Sequence, residues 1–324
     1  MNAPPKEDRA DLTLLYPLRL AANFIVVWNH TTANALFTVQ IVVYLFLAIM
    51  FGLATSSSRR EPLSEFTRKK ASLLLVPWLR WSLVYVALAI VVGAWKGSGP
   101  FEKLDWKMLL YGGHADLWFL PFAAVAIVIA KGLQRLIDRF DPRATVPLLC
   151  VAAVVATHVA ARVYFATSPI EPVDAWMRSS PMILWGLAIG ESRRASGKGT
   201  RRALLACAAA LSLLALFVPP AREIPGGVPI GSAVGVTLVA IGFAWSPPIP
   251  RSVKFAAGFT YGIYLLHPLI AKIVATALPA LHAGPAIVNV LAVWLLSGLS
   301  IYALRRMSVR WSECVDLRAQ ASGA

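Results

Sequence analysis

An arginine and a histidine lie eleven residues apart in the first apolar stretch of the chain, RLAANFIVVWNH, at Arg19 and His30. Eleven residues of α-helix advance about 16 Å and complete about three turns, so the two side chains share one face. A neutral imidazole can accept a proton as a general base, and a guanidinium can donate hydrogen bonds to an anion. Ionisable residues inside a membrane segment mark a functional site by default. In the alternative interpretation, Arg19 reaches the lipid headgroups and His30 makes one structural hydrogen bond.

The composition predicts that most of the chain spans a membrane. Of its 324 residues, 58% are hydrophobic and only 15% are charged. The apolar residues fall in blocks of about 20 that are separated by short charged loops, which is the pattern of transmembrane helices. We therefore predict an all-α integral membrane protein, a bundle of about ten transmembrane helices, at residues 14–33, 35–54, 71–94, 114–132, 144–165, 177–190, 203–221, 230–247, 255–280 and 286–304.

Positive charge alternates between the loops of this bundle. The net charge is +15, and Lys and Arg concentrate in every second loop and at both ends of the chain. The positive-inside rule then places both termini in the cytosol. We predict a cytosolic N-terminal segment at 1–13, a membrane domain at 14–304 and a basic cytosolic tail at 305–324, in the cytoplasmic (inner) membrane of a bacterium. Because topology accounts for the basic residues, we expect membrane lipid as a partner and no nucleic acid.

Two further features predict structure rather than chemistry. The three cysteines, Cys150, Cys207 and Cys314, have no spacing typical of a metal site or a disulfide framework, so we predict no metal and no bound cofactor. The stretch GSAVG at 231–235 has the GxxxG spacing that favours close packing of helices.

Four stretches carry a resemblance to a known family. After RLAANFIVVWNH come FTRKKASLLLVPW (66–78), HADLWFLPF (114–122) and GFTYGIYLLHPL (258–269). Their order and their residues resemble those of the acyltransferase 3 family of integral-membrane O-acyltransferases, and the sugar O-acetyltransferase branch in particular. The resemblance covers nearly the whole chain. One departure concerns the basic loop, where the family usually has a further Arg or Lys and this chain has Ser72 and Leu73.

The resemblance implies a reaction and a set of residues that perform it. Family members move an acyl group, commonly acetyl from acetyl-CoA, to a hydroxyl of a cell-envelope saccharide or lipid-linked glycan. His30 would be the general base, with a covalent acyl-histidine as the competing role. Arg19 would act beside it in catalysis. The phosphates of the acyl-CoA donor would be held by cations at the cytosolic start of the third span, Arg68, Lys69 and Lys70.

Six further side chains are candidates for binding the acceptor or lining a cavity: Asn23, His114, Asp116, Trp118, Tyr264 and His267. Each also has a structural interpretation. His114 and Asp116 either touch the acceptor or cap a helix, and His267 either lines the cavity or makes a structural hydrogen bond, with Tyr264 on the same helix face as its partner.

The loops predicted on the outer side hold aromatic residues together with carboxylates. One of these loops, 95–113, holds Trp95 and Trp106, and another, 167–180, holds Glu171, Asp174 and Trp176. Such residues either contact a sugar or, in the interpretation that we favour for the tryptophans, anchor the helices at the membrane interface.

Two other functions fit a multispan protein with buried charge. A transporter or flippase for an envelope saccharide or small metabolite also uses intramembrane Arg and His, although the two matching halves typical of carriers are not evident here. A glycan polymerase or another multispan envelope enzyme is the third possibility. Labelled acetyl-CoA separates these classes because an acyltransferase consumes it and a carrier does not.

Overall fold

The computed structural model describes residues 12–32, 38–57, 61–97, 105–167, 170–217 and 228–322. All regular secondary structure in these ranges is helical, which confirms the predicted all-α class. In chain order the α-helices are α1 Leu15–Thr31, α2 Thr38–Ser57, α3 Leu63–Trp95, α4 Met108–Tyr111, α5 Phe119–Ile137, α6 Pro142–Thr167, α7 Val173–Ser179, α8 Met182–Ser192, α9 Lys198–Leu214, α10 Val228–Ala244, α11 Arg251–Ala257, α12 Thr260–Ala277, α13 Pro279–His282 and α14 Ala286–Ser322.

The chain divides into two compact units that are not continuous in sequence. The first unit comprises Met1–Leu15 and Phe37–Pro247, and it contains α2 to α10. The second unit comprises Tyr16–Leu36 and Pro248–Ala324, and it contains nearly all of α1 together with α11 to α14. The first helix of the chain therefore belongs with the last ones rather than with its sequence neighbours.

Several helices are long and apolar enough to cross a membrane, as expected of a multi-pass protein. Within the described ranges there are five, Leu63–Trp95, Ala115–Ile137, Pro142–Tyr164, Lys198–Phe217 and Ala286–Met307. The consecutive helices α11 and α12, bent by 57°, make a sixth if they are one span.

The predicted count of ten spans and the cytosolic termini are not confirmed by this structure. One reason is length, because the 17 residues of α1 rise only about 26 Å against a hydrocarbon core of ~30 Å. A second reason is interruption. The predicted span at 177–190 is divided between α7 and α8, of 7 and 11 residues, and Pro181 directly precedes α8. Proline has no N–H to continue the preceding helix.

Small residues bring the helices of the first unit into close contact. On α8, a Cβ atom added at Gly186 would overlap the Cβ of Phe51 on α2, and one added at Gly190 would overlap the hydroxyl of Thr55. At Gly235 on α10 an added Cβ would lie 2.9 Å from the backbone nitrogen of Leu45 on α2. The packing interpretation of GSAVG is therefore confirmed at Gly235, whereas the GLAIG stretch on α8 escaped the sequence analysis.

The contact between α2 and α8 predicts a stability effect. Gly186→Ala adds a methyl group where the Cβ of Phe51 already lies, so α2 and α8 must separate. Overpacking of this kind costs about 1–3 kcal/mol. We expect the melting temperature of the detergent-solubilised protein to fall by about 2–10 °C, measured from the fraction that remains monodisperse after heating.

Gly132→Ala is the matched control for this variant. Gly132 lies in α5 and has no described atom within 4 Å of an added Cβ, so the change should leave the melting temperature unchanged or raise it slightly. Equal melting temperatures for Gly186→Ala and the wild type would contradict the close approach of α2 and α8.

Candidate functional site

A buried polar network joins three helices of the second unit. The Nη2 atom of Arg19 donates a hydrogen bond to the hydroxyl of Thr260 at 3.2 Å. The amide of Asn23, which is fully buried, donates to the carbonyl oxygen of Thr260 at 3.0 Å and accepts from the indole N–H of Trp294 at 2.9 Å. Asn23 thus ties α1 to α12 and α14. Thr260 and Trp294 are members of this network that the sequence analysis did not single out.

A proline sets the orientation of the histidine that precedes it. Pro268 has no N–H, so it cannot donate to the carbonyl of Tyr264 four residues earlier in α12. The Nδ1 atom of His267 lies 2.8 Å from that carbonyl oxygen and 3.2 Å from the carbonyl oxygen of Ile263. Carbonyl oxygens only accept hydrogen bonds, so Nδ1 carries the proton. In the neutral ring, Nε2 is then the basic nitrogen.

The two histidines of the sequence motifs form a pair. The ring centroids of His30, in the last turn of α1, and His267 are 5.1 Å apart, and the rings are tilted by 43°. His30 is exposed, whereas His267 is fully buried. The ring of Tyr264, half-buried, lies 6.1 Å from that of His267. Arg19 and His30 both contact α12, which agrees with their predicted shared face.

This pair suits proton transfer at a single exposed nitrogen base. His267 is fully buried and hydrogen-bonded to the backbone of α12, whereas His30 is exposed and accessible to a substrate. The pair therefore combines an accessible base with a fixed neighbour.

The predicted donor-binding cations lie in the first unit, at the start of α3. Arg68 and Lys69 are exposed, and Lys69 lies 3.5 Å from the carboxylate of Glu61. The ammonium of Lys70 is half-buried and lies 5.8 Å from the centre of the Phe66 ring. Of the three, Arg68 and Lys69 are the more accessible to a phosphate group.

A fully buried lysine, Lys131 of α5, lies beside the same aromatic ring. Its ammonium is 5.4 Å from the centre of the Phe66 ring and donates to Gln134 at 3.1 Å. Gln134 in turn donates to the carbonyl of Thr55 at the end of α2. Lys131 is not among the residues predicted from the sequence, because a buried lysine and an exposed lysine on a helix look the same in sequence.

Two glycines allow the backbone just before His114 to pack closely on α3 in the first unit. Gly112 has φ +88°, a conformation that favours glycine, and a Cβ at Gly113 would overlap the carbonyl oxygen of Ser82 on α3. The chain can therefore lie directly on α3 before a 3₁₀ turn at Ala115–Trp118. His114 caps this turn: its Nδ1 accepts from the backbone N–H of Asp116 at 3.4 Å, and the Asp116 carboxylate lies 3.2 Å from the same atom. The helix-capping interpretation is thus confirmed for His114, while contact of His114 or Asp116 with the acceptor stays a prediction.

A cleft of about 210 Å³ opens beside this turn in the first unit. Its lining includes Asp116 and Trp118 and the loop carboxylates Glu171 and Asp174, all named from the sequence. It adds Tyr44 of α2, Tyr111 of α4 and Arg178 of α7. Trp118 is fixed through its carbonyl, which accepts from the indole N–H of Trp176 at 3.3 Å.

A phenol at the edge of this cleft keeps its proton. Burial, with the carboxylates of Asp105 and Glu171 adding to it, raises the pKa of the Tyr111 phenol above its usual range. Tyr111 therefore remains a neutral hydroxyl at physiological pH.

The predicted site residues divide between the two units. Arg19, Asn23, His30, Tyr264 and His267 gather in the second unit, while the donor cations, His114, Asp116 and Trp118 belong to the first. The roles of these residues in binding and catalysis stay predictions at this point. Arg178 and Tyr44 are not among the residues predicted from the sequence, because nothing in their spacing indicates that α2 and α7 meet.

Comparison with known proteins identifies the family. The family model described as an acyltransferase domain, Acyl_transf_3, matches residues 17–304, most of the chain. No curated protein and no solved structure matches. The match contains the His30–His267 pair and the cleft, and it bears out the resemblance of the four motifs. The chain belongs to the acyltransferase 3 family and is a membrane acyltransferase.

Proposed function

We propose that this protein moves an acetyl or other short acyl group from acyl-CoA to a hydroxyl of a cell-envelope saccharide or lipid-linked glycan. Family membership supports acyl transfer. The observation that carries the mechanism is the His30–His267 pair, with rings 5.1 Å apart. The protein would act in the cytoplasmic membrane, in contact with lipid and without nucleic acid, metal or a bound cofactor.

In the proposed step, His30 acts as general base. The imidazole of His30 takes the proton of the acceptor hydroxyl while the hydroxyl oxygen attacks the thioester carbonyl carbon. The carbon–sulfur bond breaks and the coenzyme A thiolate leaves. The proton held by His30 then passes to the thiolate sulfur. In the covalent alternative, His30 attacks the thioester first and the acyl group passes from its ring to the acceptor.

His267 acts as a positioning residue for His30. Its backbone contacts hold the ring through Nδ1, and in the neutral form of the ring Nε2 is the basic nitrogen. A neutral, polarisable neighbour stabilises the imidazolium, whereas a second imidazolium would repel it.

Arg19 supports the donor. One of its N–H groups is used by Thr260, and a guanidinium has five. The remaining donors can bind a phosphate or the thioester oxygen. Arg68, Lys69 and Lys70 would bind the phosphates of coenzyme A.

The first prediction concerns His30. His30→Gln removes the base while keeping side-chain size, so free thiol release from acetyl-CoA, followed with a lipid-linked saccharide extract, should fall about 10²–10⁴-fold. His158→Gln is the matched control, because His158 lies in α6 with Nδ1 near the carbonyl oxygen of Val154, 2.9 Å away. It should release thiol at the wild-type rate.

A measurement on the wild-type protein distinguishes the general-base role of His30 from the covalent role. After exposure to acetyl-CoA alone and an acid quench, intact mass detects an acetyl adduct only in the covalent route. Full thiol release by His30→Gln would remove His30 from both routes.

The second prediction concerns the tautomer of His267. Pro268→Ala supplies an N–H for the Tyr264 carbonyl, which then competes with His267 for that acceptor. With all five histidines labelled with ¹⁵N, the wild type should show the Nδ1–H tautomer at His267 and the variant a mixture. We expect kcat to fall about tenfold, with an altered pH profile and KM for the donor unchanged.

Pro77→Ala is the control for this substitution. Pro77 also lies inside a helix, α3, but belongs to the other unit. It should alter neither the His267 signals nor the pH profile. An unchanged tautomer and pH profile in Pro268→Ala would contradict the positioning role of His267.

The third prediction concerns donor phosphates. Arg68→Gln combined with Lys69→Gln removes two exposed cations, so KM for acetyl-CoA should rise about tenfold. KM for S-acetylpantetheine, which lacks phosphate, should not change. Arg139→Gln, an exposed arginine after α5, is the control for general loss of positive charge. An equal change in KM for both donors would show that these cations do not bind phosphate.

A further inference from the structure

The cleft of the first unit has a buried carboxylate oxygen in its lining. Asp174 is only 5% exposed, and its Oδ2 atom accepts a hydrogen bond from Nη2 of Arg178 at 2.6 Å. Its Oδ1 atom is buried too, and among the residues that the structure describes none donates a hydrogen bond to it. Leaving a buried charged acceptor without a donor is costly, so this atom marks a place where a ligand donor would be stabilised.

The surrounding residues hold that carboxylate in place. Arg178 is fixed from three sides: its guanidinium lies 4.7 Å from the centre of the Tyr164 ring, its Nε lies 3.3 Å from the carbonyl of Asp174, and its own carbonyl accepts from the Tyr44 hydroxyl at 3.2 Å. Tyr44 is itself buried on α2. Arg178 of the short helix α7 is therefore held through both its side chain and its backbone. The carboxylate is thus preorganised for a ligand.

The walls and size of the cleft restrict the ligand. Trp118 and Tyr111 supply aromatic surface, and Tyr111 also supplies a neutral hydroxyl. About 210 Å³ is smaller than the pockets of ~300–1,000 Å³ that bind drug-sized molecules. A single ring with several hydroxyl groups fits this space, with its apolar face on an aromatic side chain and its hydroxyls towards the carboxylate.

The charge of the cleft restricts the ligand further. Asp116, Glu171 and Asp174 line it, against the single guanidinium of Arg178. Arg178 is already paired with Asp174, and three carboxylates against one guanidinium leave the lining negative, so a carboxylate on the ligand would be repelled. A neutral or amino-substituted ring meets no such repulsion.

We propose that this cleft binds one pyranose residue of the acceptor saccharide, a residue without a carboxylate, and that Oδ1 of Asp174 accepts hydrogen bonds from its hydroxyl groups. The saccharide class rests on the proposed function, whereas the location and the selection against acidic sugars rest on the cleft itself. Asp174 is then a binding residue for the acceptor.

Saturation-transfer difference NMR tests this inference in protein nanodiscs, because maltoside detergents would compete. The probes are the methyl glycosides of common neutral, 6-deoxy and N-acetylated hexopyranoses, each paired with its uronic acid where one exists. We expect at least one neutral glycoside to bind and its uronic acid to bind about tenfold more weakly. Asp174→Asn should weaken binding of the neutral glycoside about tenfold.

A second variant covers the case in which Asp174→Asn misfolds. Ala175→Leu puts a larger side chain in the lining of the cleft, keeps both Asp174 and Arg178, and should abolish the signal. Ala144→Leu, at an exposed position of α6, is its matched control and should bind like the wild type. Binding by no glycoside, or full binding by Ala175→Leu, would overturn the proposal.

The same samples distinguish this inference from the proposed function. His30→Gln should bind the glycoside normally while failing to transfer acetyl. The wild type could bind the glycoside, lose this binding in Ala175→Leu and yet never consume acetyl-CoA. This result would support the saccharide site in the cleft and contradict the proposed acyl transfer. If instead Ala175→Leu transfers acetyl to a saccharide at the wild-type rate, the proposed acyl transfer is supported and the saccharide site in the cleft is contradicted.

Discussion

In a hydrocarbon environment every backbone carbonyl needs a donor from the protein itself, and Pro268 withholds one from α12. The ring of His267 supplies it at 2.8 Å from the carbonyl oxygen of Tyr264. This one hydrogen bond fixes the orientation and the tautomer of His267, and thereby the character of the ring next to His30. The proposed chemistry of the second unit depends on that substitution of a side-chain donor for a backbone donor.

The same helix holds α1 at a second place. Thr260 lies two turns before His267 in α12. Its hydroxyl accepts a hydrogen bond from Arg19, and its carbonyl oxygen accepts one from Asn23. Because Trp294 binds the oxygen of Asn23, α14 is part of the same arrangement. A charged and a basic side chain on α1 are therefore both positioned by α12, although more than 200 residues of sequence lie between the two helices.

In the first unit, close packing of apolar helices brings polar side chains together. Glycines on α8 and α10 allow both helices to approach the backbone of α2. That approach leaves Tyr44 at the cleft and Thr55 beside the buried Lys131 cluster. Lys131 and Lys70 flank the ring of Phe66. Because Lys131 is fully buried, we interpret its contacts with Phe66 of α3 and, through Gln134, with Thr55 of α2 as packing contacts between helices rather than as a site for a ligand.

Sequence by itself determined the helical class, the family and most of the chemistry-bearing residues, since these depend on residue type, apolar pattern and local spacing. The shared face of Arg19 and His30 follows from helix geometry, and His267 beside Pro268 is visible in the motif. Tertiary structure alone decided which of these residues meet. The His30–His267 pair, the Thr260 network and the cleft around Asp174 join helices distant in sequence, and no local pattern encodes such contacts. The span at 177–190 failed as one helix because the break before Pro181 outweighs apolar composition.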